Sequence, residues 1–421
     1  MKIPELLSPA GNLKKLKIAL SYGADAVYGG VSHFSLRNRA SKEFDFDSFS
    51  DGVRYTHSLG KKIYVTINGF PFNSQLKLLE SHIEKMASLN PDAFIVATPG
   101  VIRLAKKIAP HIPIHLSTQA NVLNVLDAEV FYEMGVKRIV AARELSLKDA
   151  IEIKKALPNL ELEIFVHGSM CFAFSGRCLI SALQNGRVPN RGSCANDCRF
   201  DYEYYVKNPD NGVMMRLIEE EGVGTHIFNA KDLKLVEHIP TILESGVIDS
   251  LKIEGRTKSS YYAGITALAY RVALNDYKVS NFVLEKYEYE LSTLKNRGFS
   301  DGYLINRPFE KLNTQNHKTA ISEGSYQVNA EVSEDGRFAL CRHTIRVGES
   351  KEIVSPNINE VSEGKSELGE IYSKNSKKYM KFYKILLENG KELESIHSGN
   401  ENKIVLPITL PAFSFLRERI E

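Results

Sequence analysis

Apolar and polar residues alternate along roughly the first 270 residues in a pattern that predicts short strands separated by helices. Stretches such as NLKKLKIALSYG and QLKLLESHIEKMASLN carry apolar residues at helical spacing. The β-rich segments around them are 4–11, 25–30, 62–69, 93–100, 114–121, 138–146, 162–168 and 250–256. Eight β-α units in series favour an α/β fold, a TIM-like (β/α)8 barrel. An open doubly wound sheet is the alternative, and a further segment at 225–233 leaves the number of strands open.

Several predicted strands carry apolar residues on one side and polar residues on the other. The segment LKIEGR places Leu251 and Ile253 on one side, and Lys252, Glu254 and Arg256 on the other. Parallel strands that are covered on both faces are usually apolar on both. A consistently polar second face therefore favours a barrel with a hydrophilic pocket at the C-terminal ends of its strands.

Polar residues at the ends of the predicted strands are the candidate pocket residues. Lys252, Glu254 and Arg256 share one face of the last strand, and buried charges need either a partner or a charged ligand. An internal ion pair that only fills the core is the alternative. His167, at the end of the seventh strand, is a candidate proton donor, with a structural histidine as the alternative. The other predicted lining residues are Asn68, Gln119 and Arg143.

The pattern changes near residue 321, where short alternating runs are broken by EDG, ENG and SGNEN. This predicts a barrel domain over 1–320, reaching the second domain through RPFEKLNTQNHKTA, and a small all-β barrel domain over 321–421. Within the second domain, SKKYMKFYK at 376–384 mixes lysines with aromatic residues. Such a mixture can grip phosphate and stack on bases, although lysines also protect edge strands from aggregation.

Composition and charge exclude few partners. Hydrophobic residues make up 43% of the chain and charged residues 25%, as in a globular protein with ample core. The formal net charge of +3 permits an anionic partner without requiring one. We see no signal peptide and no apolar run near the ~18 residues that span a bilayer, so we expect a cytoplasmic protein with no membrane partner. Thiols stay reduced in that compartment, which makes disulfides the least expected use of cysteine.

Four of the five cysteines fall within 28 residues just beyond the seventh strand, in an insertion predicted at about 169–225. Their spacing, C-x6-C-x15-C-x3-C, suits poorly the paired C-x2-4-C knuckles of structural zinc. Four thiolates without histidine are also the ligand set of an iron–sulfur cluster, so cluster, zinc and unligated or redox-active thiols all stay open. The four residues are Cys171, Cys178, Cys194 and Cys198. Cys341 stands alone in the second domain and is expected to be a small buried residue.

The motifs around these cysteines resemble a known family. VHGSMCFAFSGRCLIS, NRGSCANDCRFDY, GTHIFNAKDLKLVEHIPTILESGV and LKIEGRTKSSYYAGITALAYRVAL are similar to peptidase U32, also called the collagenase-like proteases. The resemblance runs from LLSPAG to about residue 275, and the β-rich tail resembles the C-terminal domain of the family. KIEGRTKS and NRGFSDGYL are most similar to the members that hydroxylate tRNA.

The resemblance implies an iron–sulfur enzyme that helps convert the wobble uridine of tRNA to 5-hydroxyuridine, with prephenate implicated. It implies a four-iron cluster (4Fe-4S) on Cys171, Cys178, Cys194 and Cys198, and it leaves room for a partner protein. A small anionic co-substrate such as prephenate would suit the last-strand cations, with the carboxylate between them as an orienting or acid/base group. Arginines at 177 and 191 flank the cysteines and could lie near a cluster or contact phosphate.

Proteolysis is the competing activity. The chain contains neither H-E-x-x-H nor a G-x-S-x-G elbow, which removes two common peptidase sites. A Cys/His pair is available, since His167 precedes Cys171 by four residues. A nucleophilic cysteine, however, needs one activated thiolate and a positioned base, whereas thiolates bound to iron are already committed.

Overall fold

The computed structural model describes residues 3–31, 34–35, 44–171, 173–174, 177–187, 189, 194–200, 202–217, 230–305, 324–399 and 403–420. The strands before residue 301 are β1 (Glu5–Pro9), β2 (Ala26–Gly29), β3 (Lys62–Ile67), β4 (Ala93–Val96), β5 (Ile114–Leu116), β6 (Arg138–Val140), β7 (Glu161–Ser169), β8 (Tyr204–Lys207), β9 (Met214–Leu217), β10 (Asp232–Lys234), β11 (Ser250–Ile253) and β12 (Phe299–Ser300). The helices are α1 (Leu13–Ser21), α2 (Phe46–Ser58), α3 (Leu76–Ala87), α4 (Pro99–Ile108), α5 (Val125–Glu133), α6 (Leu147–Ala156), α7 (Ile180–Asn185), α8 (Ile239–Ser245), α9 (Ser260–Lys278) and α10 (Leu284–Ser292).

Strands β1 to β7 and β11 form a closed barrel of eight parallel strands. Strand β11 closes it by pairing with β1 on one side and with β7 on the other, through Leu251↔Leu6 and Leu251↔Ile164. Each of the eight predicted β-rich segments contains one of these strands. The TIM-like barrel is therefore confirmed, and the open doubly wound sheet is wrong because an open sheet has no pairing between its edge strands.

The additional segment at 225–233 does not supply a ninth barrel strand. Residues 225–229 lie outside the described residues, and β10 begins at Asp232. Strand β10 runs antiparallel to β7, pairing Asp232 with Ser169 and Lys234 with His167, and β12 pairs with β10 in turn. These two short strands extend the sheet beyond the barrel next to the carboxyl end of β7.

Alternation within the strands builds the two sides of the barrel wall. The apolar residues of β1, β3 and β11, such as Leu6, Val65 and Ile253, are fully buried in the large apolar core that includes the surrounding helices. Many helices begin at a polar side chain that accepts a hydrogen bond from the first turn, as Asn12 does for α1 and Ser259 for α9. On the other side of the same strands, Glu5, Tyr64 and Lys252 consequently point into the barrel.

The C-terminal part is all-β, as predicted, and forms a separate antiparallel sheet curved into a half-barrel. Its strands are β13 (Tyr326–Val332), β14 (Phe338–Cys341), β15 (Ile345–Arg346), β16 (Ser350–Val354), β17 (Gly364–Lys365), β18 (Gly369–Lys374), β19 (Lys377–Phe382), β20 (Ile385–Leu386), β21 (Glu392–Leu393), β22 (Ser395–Ile396), β23 (Lys403–Val405) and β24 (Phe415–Arg419). The main sheet has the order β17-β18-β19-β16-β24-β13-β14-β23. The predicted connection at 307–320 lies outside the described residues.

Buried polar contacts join the two domains. The Tyr22 hydroxyl donates to the carbonyl oxygens of Val354 at 3.2 Å and Phe413 at 3.1 Å. The fully buried Arg417 guanidinium lies 2.7 Å from the Glu290 carboxylate at the end of α10. The C-terminal sheet is thus fixed against α1, α9 and α10, next to the closing strand of the barrel.

Candidate thiol-lined site at the barrel mouth

The interior of the barrel contains a set of paired charges and one tyrosine hydroxyl, here called the ion layer, made of Glu5, Tyr64, Arg138, Glu163 and Lys252. Arg138 also pairs with Glu161 at 2.8 Å at the edge of this layer. The Glu163 carboxylate accepts from Lys252 Nζ at 2.6 Å and from Arg138 Nη1 at 3.1 Å. Arg138 also contacts Glu5 at 2.6 Å, and the Tyr64 hydroxyl donates to Glu5 at 2.7 Å. Burial alone would raise the pKa of the Glu163 carboxyl, but Lys252 and Arg138 outweigh it and lower that pKa. Each charge in this layer already has its partner inside the protein.

Above the ion layer, toward the carboxyl ends of the strands, the barrel opens into a cavity of about 1150 Å3, including its mouth. Lys252 forms part of its floor, and the four clustered cysteines lie on its rim. The residues that line the cavity are Tyr28, Thr66, Asn68, Ile95, Ser117, Thr118, Gln119, Val140, Arg143, Phe165, Met170, Cys171, Ala173, Phe174, Cys178, Pro189, Cys194, Asn196, Cys198, Arg199, Lys252, Glu254 and Arg256. Asn68, Gln119 and Arg143 are therefore at the predicted pocket.

The polar side of β11 and the loop after it faces this cavity, as the alternation in LKIEGR predicts. Lys252, Glu254 and Arg256 all line it. Lys252 also forms an internal ion pair with Glu163, which is the alternative that the sequence analysis gave for the charged residues of this strand. Lys252 and Arg256 are almost equally buried, with 4% and 6% of each residue exposed.

A second set of polar groups surrounds the cavity and is here called the mouth layer: Ser35, Thr66, Arg143, Glu254 and Arg256. Arg256 Nη1 donates to Ser35 Oγ at 2.7 Å and to Thr66 Oγ1 at 3.1 Å. Arg143 lies 3.5 Å from the Glu254 carboxylate and stacks 4.1 Å from the Phe165 ring centre. The two hydroxyls approach Gly30 so closely that a Cβ there would lie 2.4 Å from Thr66 Oγ1. The mouth layer thus presents the Thr66 hydroxyl, a carboxylate and two guanidinium groups at the cavity, while the Ser35 hydroxyl holds Arg256 in place.

His167 does not reach this cavity. The pairing of β11 with β7 shifts by one residue after Lys252↔Phe165, so that Ile253 lies opposite His167. Since side chains alternate across a strand, this bulge turns His167 away from the interior. Its ring packs against Tyr262 and Tyr270 of α9.

The surroundings of His167 are those of a structural histidine. It lines a separate small cavity with Asp232 and Lys258, and its Nδ1 has no hydrogen-bond partner among the described residues. Burial lowers its pKa to about 3, with a smaller opposing effect from Asp232. The sequence analysis placed this residue at the pocket because it lies at the end of the seventh predicted strand.

The cysteine-bearing insertion is held together by a buried aspartate that the sequence analysis missed. Asp197 accepts hydrogen bonds from Ser181 and Asn185 of α7, and its backbone carbonyl accepts from the Tyr202 hydroxyl at 2.8 Å. The Ser181 hydroxyl also accepts from the Ala195 backbone N–H at 3.0 Å. These contacts fix the Cys194–Cys198 turn against the helix that follows Cys178. A lone acidic residue between two cysteines was the available signal.

The four thiols lie close enough to influence one another. Burial raises the pKa of the Cys198 thiol, Arg199 opposes that rise, and the remaining three thiols of the insertion add to it. Cys171 and Cys194 are exposed, whereas Cys178 and Cys198 are half-buried. In the part of the chain that the structure describes, no three His, Cys, Asp or Glu side chains are grouped so as to hold a metal ion. The sulfurs are therefore neighbours at one cavity without converging on a single ion.

Neither of the two arginines that flank the cysteines, at 177 and 191, is among the described residues that line the cavity. Arg177 is exposed to solvent, and residue 191 lies outside the described residues. Arg199, which the sequence analysis did not select, lines the cavity beside Cys198. Cys341 is buried in the C-terminal domain, as predicted.

The basic and aromatic segment 376–384 is largely committed to contacts within the protein. Phe382 is fully buried in the core of the C-terminal domain, so it cannot stack on a base. Lys377 pairs with Glu352 at 3.1 Å and lies 4.1 Å from the centre of the Tyr289 ring in α10. Only part of the segment is left for a surface contact, which corrects the interpretation of the whole run as an RNA-binding surface.

Helices in the described residues include none with both the length and the apolar character needed to cross a bilayer.

Fold and site together define a TIM-barrel protein whose polar mouth is bordered by an insertion with four free thiols. Residues 11–314 match the family model described as Peptidase family U32, so the chain belongs to that family and the resemblance is confirmed. It is 71% identical over 416 residues, 99% of each chain, to a Helicobacter pylori protein named tRNA hydroxylation protein P. An Escherichia coli protein of the same name is 36% identical over 399 residues, covering 85% of this chain and 87% of the relative. A Porphyromonas gingivalis protein named collagenase is 27% identical over 358 residues, covering 82% and 84%.

Proposed function

We propose that this protein acts in the hydroxylation of tRNA, forming 5-hydroxyuridine at the wobble position. One observation carries the proposal: over 99% of its length the chain is 71% identical to a protein named for tRNA hydroxylation. The mouth of the barrel supplies a site suited to such chemistry, since thiols and polar groups border one cavity. The proposal places the protein in the cytoplasm, where its tRNA substrate is found.

Arg256 is the group we assign to an anionic co-substrate, with prephenate the compound that the family resemblance implies. Its guanidinium is held in place by Ser35 and Thr66, and it faces the cavity. A planar guanidinium binds carboxylates through two parallel hydrogen bonds. Glu254, paired with Arg143, would orient the ligand or exchange a proton with it. Lys252 contributes positive potential from the floor, but its ammonium is already held by Glu163.

The cofactor we propose is a four-iron cluster held by Cys171, Cys178, Cys194 and Cys198. The donor set fits, because four free thiols without an intervening histidine line one cavity. A cluster offers a separate iron to each thiolate, so its ligands need not converge on one ion as they do around zinc. When bound, it would supply one-electron redox chemistry at the cavity. The chain itself positions the Cys194–Cys198 turn through the Asp197 contacts, and Phe174 lines the same cavity.

The proposed activity is tested by the nucleosides of total tRNA from cells with and without this gene, grown with and without oxygen. We expect 5-hydroxyuridine and its derivatives to fall in the deletion strain and to return when the gene is restored. Unchanged levels in both conditions would overturn the proposed function.

The proposed cofactor is tested separately on protein purified without oxygen. We expect iron and sulfide in stoichiometric amounts in the native protein, and a large loss of both in Cys178→Ser. Cys341→Ala, which removes the buried thiol of the other domain, should retain the full content. Protein that contains zinc and no iron would refute the cluster without touching the family assignment.

No contact in the described residues favours peptide hydrolysis as a second function. The one Cys/His pair that the sequence offers is separated, because Cys171 lines the barrel mouth whereas His167 faces α9 in another cavity. The name collagenase belongs to the Porphyromonas gingivalis relative and does not by itself assign peptide hydrolysis to this chain.

A further inference from the structure

A large cleft lies between the barrel domain and the C-terminal domain, outside the thiol-lined cavity. It has a volume of about 1530 Å3, including its open side, and is here called the interdomain cleft. Its walls are the 257–260 loop with the start of α9, residues 293–295 after α10, and residues 326–331 of β13. The activity proposed above leaves this cleft without a role.

The cleft concentrates positive charge. Among the described residues that line it, four are cationic and only Glu331 is acidic. That carboxylate is already neutralised, with Arg342 at 2.9 Å and Lys14 at 3.0 Å. The excess of three positive charges in the lining equals the formal net charge of the whole chain, +3. The cationic lining residues are Lys15, Lys258, Lys295 and Arg342.

The interdomain cleft is connected to the barrel mouth by a single stretch of chain. Glu254 and Arg256 line the thiol-bordered cavity, and the next residues, 257–260, line the cleft. Lys15 fastens the two together, since its Nζ donates to the Arg256 carbonyl oxygen at 3.3 Å. The 19-residue helix α9 begins at this point, so the positive end of its dipole adds to the local potential. An extended anion held in the cleft would therefore lie within a few residues of the chain that lines the barrel mouth.

We propose that the interdomain cleft binds the sugar–phosphate backbone of tRNA and directs one strand of it to the barrel mouth. This inference rests on the proposed function, because it names the surface by which the same protein holds its RNA. A polynucleotide backbone carries a charge on every residue, which matches a row of separated cations better than a single small anion does. Exposed hydroxyl-bearing residues beside the lysines, Thr257 and Ser259, suit phosphate oxygens and carry no sequence preference.

The test is the affinity of the purified full-length protein for a transcribed, unmodified tRNA, measured by fluorescence anisotropy at several salt concentrations. The variant is Lys258→Gln/Lys295→Gln, which removes two charges from the cleft and leaves the thiols and Arg256 in place. Each phosphate contact contributes about 0.7–0.9 to the slope of log affinity against log salt, so we expect this slope to fall by between one and two and the affinity to fall about tenfold. Lys107→Gln is the matched control, since Lys107 is exposed on α4, which follows the strand opposite β11 in the barrel.

The outcomes separate this inference from the proposed function. If the double variant loses affinity and slope while its thermal stability and iron content stay native, the cleft holds RNA, whether or not the deletion strain loses 5-hydroxyuridine. If the deletion strain loses the nucleoside but the double variant binds tRNA with unchanged affinity and slope, the cleft inference is overturned and the function stands. Polyglutamate binding that depends on the two lysines, with tRNA binding unchanged, would assign the cleft to an acidic protein segment and equally overturn it.

Discussion

Two layers of charged and polar residues are stacked inside the same barrel, and they differ in how their charges are satisfied. In the ion layer, Glu163 is fully buried and held by two cations at 2.6 and 3.1 Å. In the mouth layer, the Arg143–Glu254 pair is longer, at 3.5 Å, and the Arg256 contacts in the structure include two hydroxyl groups. Charges that complete one another inside a protein support its fold, whereas charges that face a cavity can respond to a ligand. The mouth layer is therefore the one in which we expect the residues that act on a ligand.

The largest effect should come from Glu163→Gln, which removes the shared carboxylate of the ion layer. The buried Lys252 ammonium loses its carboxylate partner, whereas Arg138 keeps Glu5 and Glu161. Removing one partner of a buried ion pair costs about 3–5 kcal/mol, so we expect a fall near the lower end of that range in the free energy of unfolding. Urea denaturation measures it. Glu152→Gln, which breaks an exposed pair with Lys155 at 3.0 Å, is the control and should change stability by less than about 0.5 kcal/mol. A loss below about 1 kcal/mol in Glu163→Gln would mean that the buried Lys252 does not depend on Glu163 for its stability.

Arg256→Gln should act on activity more than on stability. A hydrogen bond to a charged group is worth about 1.5–3 kcal/mol, which corresponds to a roughly 10- to 100-fold loss of 5-hydroxyuridine formation. The measurement is the nucleoside content of tRNA in a deletion strain that carries the variant gene. Arg103→Gln, an exposed arginine on α4, should behave as the native protein does. Full activity of Arg256→Gln would remove this residue from the proposed co-substrate site.

His167 predicts a pH dependence of stability that has nothing to do with the mouth layer. Its pKa is about 3 in the folded protein and near 6.5 when exposed, so protonation favours the unfolded state. The stability that it contributes is complete above about pH 6.5 and is lost as the pH falls toward 3, with a slope of at most ~1.4 kcal/mol per pH unit. The free energy of unfolding, measured by urea denaturation at several pH values in this range, should change less steeply with pH in His167→Gln than in the native protein.

The same variant distinguishes a structural histidine from a catalytic one. We expect His167→Gln to keep forming 5-hydroxyuridine wherever it remains folded, because its ring packs against α9 and not against the cavity. Abolished activity in a variant of native stability would restore the sequence-based prediction of a proton donor.

The smallest effect should come from Glu254→Gln, the counterpart of Glu163→Gln in the mouth layer. Its partner Arg143 keeps the Phe165 ring at 4.1 Å and borders the open cavity, so we expect a stability loss below about 1 kcal/mol. Urea denaturation of the two variants side by side gives the comparison. Equal losses from Glu254→Gln and Glu163→Gln would erase the distinction between the layers.

Much of the barrel and part of its site could be predicted from local patterns. Strand alternation located the eight barrel strands and correctly turned Lys252, Glu254 and Arg256 inward. The same signal was present for Glu163, which lies between Leu162 and Ile164, but it was not used. Position at a strand end was not enough for His167, because the bulge that turns its side chain outward depends on the pairing with β11 and has no mark in the β7 sequence.

The spacing of the cysteines also had limits. It showed that four thiols lie within 28 residues, but the cavity that they share depends on the loop returning over the barrel mouth and on the buried Asp197. In the C-terminal domain, Lys377 and Phe382 read as one basic and aromatic run, yet the fold assigns the first to an ion pair and the second to the core.

The amino-acid sequence by itself determined the order of strands and helices, the sides on which strand residues lie and the clustering of the thiols, because these depend on neighbours a few residues apart. Tertiary structure alone decided which charges are paired, which polar groups face a cavity, and that a basic cleft connects to the barrel mouth. Those properties depend on distances between residues far apart in the chain, as between Lys15 and Arg256 or Glu163 and Lys252. Charge acts through space, so its consequences appear only after the chain has closed.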